Sequence, residues 1–484
     1  MAPDIINNNG AAKKINIFCL LAAIVVILVL PFKKEIWYDE TVSILCSKGL
    51  SHDSPASFAT TNTISSATLE QLNTSGNVFT ATVNDNGNSF LYNYGLHWFT
   101  LLFGNSITVY MLFSKLCGIA ALIAFYALCQ LFLKDSLFTS VALILLATDL
   151  GFMGLSHEIR AYSMGIFFVT LAAVYLFKFL FETDKPFHLF LTALFAVGAV
   201  LSHFLTVYII LVFLFVLVYI KRSALFSLKN IVAILSPAAL LALFFYFAWP
   251  GLHIMSIQNR EIQEEALSKG FSLAEVFSRS MRLTAINFKS VFPAFRNNIG
   301  IVLISFLFVI ALFVAGMKSA ENKTQKRDLG LLFLLGAFSS LFLLLLSIKS
   351  HHYTPLYYRY YSFGAPFSCL FIAYLLYVLF SSYKKNFLIT GMLTAIIALP
   401  SCALFVMGIV NDHPAIQYNH PAIASEIVKN NISKIEVPDW REALLVQSLL
   451  PQGYKIDYFR NGDGYFTLYK QTGAEKIPVI KEDH

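Results

Sequence analysis

The sequence predicts an α-helical polytopic membrane protein with a small soluble α/β domain at its C-terminal end, on three observations. Hydrophobic residues fill 57% of the 484 positions and charged residues only 13%, with a mean hydropathy of +0.66, a balance foreign to soluble globules. Apolar runs of roughly 17–25 residues, long enough to cross a hydrocarbon layer about 30 Å thick, recur along the chain between charged residues, Pro or Asn. From about Asp412 the pattern stops and a mixed, polar composition takes over.

The runs predict about eleven membrane helices, near 15–31, 109–133, 136–154, 163–181, 187–200, 203–220, 231–249, 299–317, 329–348, 363–380 and 387–410. With this count the basic residues all fall on one side: Lys13-Lys14, Lys134, Lys178 with Lys185, Lys221-Arg222 with Lys229, the stretch from Lys318 to Arg327, and Lys384-Lys385. By the positive-inside rule that side is the cytoplasm, so the N-terminus is cytoplasmic. The net charge of +7, from 35 Lys and Arg against 28 Asp and Glu, is therefore a matter of orientation. No nucleic-acid motif accompanies it.

The polar start, Met1 to Lys14, precedes a run with no small-residue cleavage site after it, so the first helix reads as retained. Cys19, Cys117, Cys129, Cys369 and Cys402 lie in apolar runs and only Cys46 in a loop. That distribution indicates neither a disulfide framework nor a Cys-rich metal site. The run 91–103, about thirteen residues, is too short to span and is expected to lie in the outer interface. Phe-, Ile-, Lys- and Asn-rich usage fits a bacterial plasma membrane.

This topology leaves on the outer face the loop 32–108, the turn at His157, the loop 250–298, the turn 349–362 and the C-terminal tail. The second loop opens with Trp249-Pro250-Gly251, and Asn259-Arg260-Glu261 through Phe277 has the mixed spacing of an amphipathic helix resting on the membrane as a lid. The expected domains are 1–411, membrane-embedded, and 412–484, soluble. In the latter, helices are expected near 421–430 and 439–450, with a hairpin in Tyr454–Lys470 turning at Asn461-Gly462-Asp463-Gly464.

Three polar constellations share that outer face. They are Asp39-Glu40 after the first helix, His157-Glu158-Ile159-Arg160-Ala161-Tyr162 before the fourth, and His351-His352-Tyr353 with Tyr357-Tyr358-Arg359-Tyr360-Tyr361 before the tenth. Carboxylates there can take a proton from a hydroxyl nucleophile, and Arg or Lys can hold a phosphate leaving group, which together suit attack at a phosphate-activated carbon. Arg359 among four tyrosines suits an amphiphilic phosphate whose tail stays in lipid.

Four stretches resemble the membrane glycosyltransferases of the GT-C fold, in the branch holding protein O-mannosyltransferases, lipid A aminoarabinose transferases and the dolichyl-phosphate-mannose-protein mannosyltransferase-like set. They are Tyr38-Asp39-Glu40; Asn88-Ser89-Phe90-Leu91-Tyr92-Asn93-Tyr94 through His97 to Phe103-Gly104-Asn105-Ser106, like the family's Pro-Leu-Tyr to Phe-Gly-x-Ser block; Ser156-x-Glu158-x-Arg160-x-Tyr162; and Arg359-Tyr360 opening a late helix. Together they cover roughly residues 30–400.

The resemblance implies inverting transfer of a monosaccharide from a polyprenyl-phosphate carrier to a hydroxyl or phosphate on a glycan, lipid or protein acceptor at the extracytoplasmic face. By position it makes Asp39 the base or acceptor-orienting carboxylate and Glu40 its partner. Glu158 becomes the second acidic group, positioning the acceptor or sharing a divalent cation with Asp39. Arg359 would bind the donor phosphate with Arg160, while Tyr38, Tyr94, His97, His157, Tyr162, Tyr358 and Tyr360 would shape the pocket. Two positions depart from the family: Met111 stands where it has Arg, and Ser89-Phe90 where it often has Pro. Lys115, one turn below Met111, can snorkel to the same phosphate.

Blander readings stand beside these. Glu158 with Arg160 also suits a salt bridge between helices, Arg359 with its tyrosines an interfacial anchor, and the histidines polar interface positions without metal-ligand spacing. Asn73-Thr74-Ser75 and Asn431-Ile432-Ser433 match a short sequon that matters only in a eukaryotic secretory compartment. The competing functions are a lipid-linked-sugar flippase and a non-catalytic subunit of a glycan-assembly complex. A transporter places its site at the midplane within repeats, and no repeat occurs here.

Overall fold

The computed structural model describes residues 9–29, 38–50, 63–66, 77–85, 87–133, 135–267, 299–339, 359, 362–381, 420–437, 440–451, 453–460, 467–469 and 476–478. In chain order these form α1 (Asn9–Val29), α2 (Tyr38–Ser47), β1 (Thr63–Ser65), α3 (Val78–Asn84), α4 (Phe90–Phe103), α5 (Ile107–Phe132), α6 (Ser136–Ala147) and α7 (Leu150–His157). Then come α8 (Tyr162–Phe181), α9 (Pro186–Ser202), a 3-10 turn (Phe204–Thr206), α10 (Val207–Leu225), α11 (Leu228–Leu267), α12 (Ile299–Ser319), α13 (Lys323–Phe333) and α14 (Ala365–Ser381). The last elements are α15 (His420–Lys429), β2 (Lys434–Val437), α16 (Trp440–Leu449), β3 (Asp457–Arg460), β4 (Thr467–Tyr469) and β5 (Lys476–Pro478). The chain divides into one unit of 1–31, 114–247 and 256–412, and another of 32–113, 248–255 and 413–484.

The first unit is a bundle of apolar helices. Among the described residues, five stretches are long and apolar enough to cross a membrane: Ile107–Phe132, Tyr162–Phe181, Phe204–Arg222, Leu228–Ala248 and Ser362–Phe380. The bent pair α6 and α7 makes a sixth if it is one span, and the protein is a multi-pass membrane protein. The expected helices at 15–31, 187–200 and 299–317 are present as α1, α9 and α12, with shorter apolar lengths. The helix expected at 329–348 is present over its described part, 329–339, and its remainder, like the helix expected at 387–410, lies outside the described residues. Val232, Leu235, Leu243, Tyr246 and Phe247 on α11, with Leu214 and Phe215 on α10, are exposed, an apolar surface suited to lipid rather than water. Inside the bundle, Ser136 and Ser140 both donate to Asn16 Oδ1, at 3.0 and 2.9 Å, tying α1 to α6. Tyr374 on α14 donates to Asp328 on α13 at 3.5 Å.

Two helices depart from the sequence expectation. The single helix expected at 136–154 is two, with axes 59° apart. Thr148 Oγ1 returns to the Ile144 carbonyl at 2.8 Å, while buried Asp149 accepts from Phe152 N at 2.6 Å and so starts α7 as its N-cap. Side chains that bond their own backbone end one helix and open the next. Conversely, the loop expected from 250 is helical as far as Leu267, because α11 runs through Pro250. The strong helix formers Gln263, Glu264, Glu265, Ala266 and Leu267 follow it, and their summed propensity offsets the one lost hydrogen bond. The lid expected over 259–277 lies within described residues only to 267.

The second unit joins the first loop to the C-terminal tail. Leu45 and Leu50, at the end of α2, share one buried core with Ile423 and Ile427 of α15, Ile435 and Val437 of β2, Val446 of α16, and Tyr458 of β3. The sheet runs β1-β3-β2-β4-β5. β2 pairs parallel with β3 and antiparallel with β4, and β1, from the first loop, pairs antiparallel with β3. The expected hairpin between β3 and β4 is therefore absent. Alternation buries Ile435 and Val437 and leaves Lys434 exposed, so β2 takes the central place and α16 is the crossover that a parallel pair requires. Composition bounds the soluble domain at 412–484, whereas the compact unit also takes in 32–113. Asn431, with φ of 50°, closes α15 in the left-handed cap, and Ile432 N bonds Ile427 O at 3.0 Å. A helix cap thus accounts for the asparagine of that sequon.

Candidate functional site

In the second unit, Asp39 and Glu40 lie in the first turn of α2, where unsatisfied amides and the helix dipole favour negative charge. Glu40 is 1% exposed and Asp39 half-buried. α4 packs beside this helix: His97 Nδ1 bonds the Ser47 carbonyl at 2.8 Å, and Asn93 Nδ2 donates to Thr82 of α3 at 3.1 Å. Tyr94 packs its ring 4.8 Å from Phe90 on the same helix. α4 is 14 residues long, or about 21 Å at 1.5 Å per residue, short of a bilayer. Trp98, Leu101, Leu102 and Phe103 are exposed while Tyr92 and Leu96 are buried, the two-faced pattern of an interfacial helix. Ser89 precedes it with φ of 64°. Lys48, just past α2, sits 6.0 Å from the Tyr110 ring, and burial pushes its ammonium down to about 8.

In the first unit, α7 ends at His157, and Glu158 follows as its C-cap in extended conformation. Gly118 on α5 allows this approach, since a Cβ there would lie 2.5 Å from Ser156 Oγ. Buried His157 donates from Nδ1 to the Met153 carbonyl at 2.7 Å. Arg160 N bonds the Glu158 carbonyl at 2.7 Å, and the Arg160 side chain is only 9% exposed. Tyr162, which opens α8, is buried.

The group these residues meet is His203, which sequence reasoning missed. It forms the turn between α9 and the 3-10 turn and is 3% exposed. The Tyr162 ring stacks on it at 4.9 Å, and the Phe363 ring lies 5.4 Å away. Gly165 lets Phe363 in, because a Cβ there would lie 2.7 Å from the Phe363 ring. Phe363 belongs to the turn after Arg359, where Ser362 Oγ bonds the Arg359 carbonyl at 2.9 Å. Burial, and then the positive charges of Arg160 and Arg359, push the imidazole down to about 3, so it is neutral at any ordinary pH. Its Nδ1 accepts from Leu205 N at 3.2 Å, which places the proton of the neutral ring on Nε2. The signal available in sequence is a polar pair, Ser202-His203, at the tight junction of two apolar runs.

Tyr162 thus stacks on one buried imidazole, and the positive charges of Arg160 and Arg359 bear on it, cations of the kind that take an anion. Lys115 is differently engaged: its ammonium bonds the Leu28 carbonyl at 3.0 Å, in the last turn of α1, where a cation complements the helix end. Tyr358, Tyr360, His351 and His352 lie outside the described residues, as does the side chain of Tyr38. Among the described residues no three His, Cys, Asp or Glu side chains gather as a metal site.

No protein-family model matches the chain, and no curated protein matches it. The solved structures similar to it include two GT-C enzymes. One is the oligosaccharyltransferase of Archaeoglobus fulgidus in complex with Zn and sulfate, at 12% identity and a TM-score of 0.49, with 91% of this chain and 57% of that chain covered. The chain therefore spans little more than half the length of that protein. The other is ArnT from Cupriavidus metallidurans bound to undecaprenyl phosphate, at 12% identity and a TM-score of 0.43, covering 90% of this chain and 74% of that chain.

Proposed function

We propose that the chain is a GT-C glycosyltransferase that moves a monosaccharide, with inversion, from a polyprenyl-phosphate carrier to an acceptor hydroxyl or phosphate at the extracytoplasmic membrane face. The observation that carries this reading is the convergence on buried His203 of two segments far apart in the chain, those of Arg160 and Arg359, whose neighbours Tyr162 and Phe363 pack their rings on the imidazole. Guanidiniums carried beside apolar helices suit a phosphate whose lipid tail stays in the membrane.

In the roles that the GT-C resemblance implies for these residues, Asp39 takes the proton of a hydroxyl acceptor, and the oxygen attacks the anomeric carbon opposite the phosphate. The bond from that carbon to the phosphate oxygen breaks, and polyprenyl phosphate leaves with its added charge on Arg160 and Arg359. Glu40 supports the Asp39 carboxylate at the helix start, and Glu158 orients the acceptor. Fixed cations stabilise the charge that builds on the departing phosphate, and in a site shielded from water they do so far more strongly than solvent-exposed ones.

Purified protein in nanodiscs, offered a panel of polyprenyl-phosphate sugars and a membrane extract, should release polyprenyl phosphate in an acceptor-dependent way. Asp39→Asn should abolish release. Equal release from both proteins, or carrier movement across the bilayer with no sugar transfer, would replace this reading with that of a flippase.

A further inference from the structure

Among the polar atoms buried in the first unit, His203 Nε2 stands out. It has no hydrogen-bond partner among the described residues, on a side chain 3% exposed. A buried donor left unpaired is costly, and natural structures keep such atoms chiefly where a ligand or function accounts for them. The ring itself is rigidly held: Tyr162 stacks on it, Phe363 flanks it, and Leu205 N fixes the Nδ1 side. With Nδ1 accepting, the open edge of the imidazole carries a hydrogen that can only donate. Tyr162 stands two residues after Arg160, and Phe363 four after Arg359, so the segments that carry the two cations also carry the two rings packed on His203.

We infer that His203 donates its Nε2–H to an oxygen of the phosphate that Arg160 and Arg359 bind, as a third and uncharged ligand of that anion. The inference rests on the donor site of the proposed function and assigns that site a recognition residue. Burial first, and then the charges of the two guanidiniums, oppose a proton at His203, so the third donor is neutral. A neutral donor adds direction without a third positive charge. That matters for turnover, because the anion is also the leaving group and has to depart. The chemical class recognised is a phosphate oxygen, whether on a lipid carrier or on free phosphate.

The test is binding at pH 7.5 to protein in nanodiscs, with undecaprenyl phosphate as one probe and inorganic phosphate as the other. His203→Phe keeps the ring stack and removes the donor, and should weaken undecaprenyl phosphate at least tenfold. His203→Gln restores an N–H and should recover most of the loss. If inorganic phosphate shows the same dependence, the phosphate group alone is what is recognised; dependence for undecaprenyl phosphate only would place the lipid chain in the same site. His203→Phe binding both probes like wild type, while Arg160→Ala and Arg359→Ala do not, would overturn the role of His203 and leave the donor site standing. Wild-type affinity in all of these variants would overturn the donor site as well. Should the variants fail to fold, 15N-histidine spectra of the wild type decide: the Nε2 resonance of His203 shifts when undecaprenyl phosphate is added, or the inference fails.

Discussion

The Tyr162 ring lies 4.9 Å from that of His203 and 30° from parallel, so the first residue of α8 fixes the plane of an imidazole in the turn before α10. Both rings are buried, and the stack serves as a positioning device for the atoms at its edge. Tyr162→Phe should preserve the stack. Tyr162→Ala should lose about 3 kcal/mol or more, the usual cost of deleting a buried aromatic ring, read as a lowered melting temperature in detergent.

The pH dependence has a definite sign. In the unfolded chain His203 takes a proton near 6.5, whereas the folded protein holds it neutral down to about 3. Between those values the unfolded state binds more protons, so this residue's contribution to stability is fully present above pH 6.5 and is lost as pH falls toward 3. Thermal melts from pH 7 to pH 4 should show a shallower decline for His203→Phe than for wild type. Parallel declines would mean that the imidazole is not held neutral.

Lys48 works in the opposite range. Its folded value of about 8 lies below the ordinary 10.5, so the unfolded state again binds more protons between the two, and stability rises with pH across that window. Lys48→Met should flatten the rise from pH 8 to pH 10, measured on the same melts.

Ser89 adopts φ of 64° ahead of α4, and its buried Oγ has no hydrogen-bond partner among the described residues. A left-handed conformation costs an L-residue about 1 kcal/mol that glycine does not lose. Ser89→Gly should therefore stabilise the protein by up to about 1 kcal/mol. A melting temperature that falls instead would show that the hydroxyl has a partner of its own.

Replacing Arg359 by Lys, or Arg160 by Lys, keeps charge and removes the planar fork. Either change should raise KM for the lipid donor about tenfold, the cost of one lost charge-assisted hydrogen bond of roughly 1.5 kcal/mol. An unchanged KM in steady-state assays would remove the guanidiniums from donor recognition.

What sequence reveals and what it hides follow one physical division. Period and length are local, so α5, α8, α10 and α14 stand where hydropathy places them. Asp39, Glu158, Arg160 and Arg359 are visible because charge beside apolar runs is conspicuous. His203 is not, since a single histidine between two apolar runs acquires meaning only from rings and charges brought to it by α8 and by the turn before α14. The expected hairpin fails for the same reason. β3 and β4 are neighbours in sequence, but Ile435 and Val437 of β2 fill the core between them. Nor does any local pattern announce that β1 belongs to a sheet made by the tail.

That last pairing sets an order of events in time. Ile456 N reaches Ser66 Oγ at 3.1 Å across 390 positions of sequence, and Ser66 N returns to the Ile456 carbonyl at 2.8 Å. Contacts so distant form late, after the entropy of closing the intervening chain has been met. The helix that bears Asp39 and Glu40 emerges early from the ribosome, yet Leu45 and Leu50 find their hydrophobic partners only when β2, α16 and β3 have been made. Membrane insertion of the bundle can thus be nearly complete while the acidic helix is still without its backing. A chain lacking β2, α16 and β3 therefore leaves Leu45 and Leu50, and the helix that carries Asp39 and Glu40, without the core that backs them.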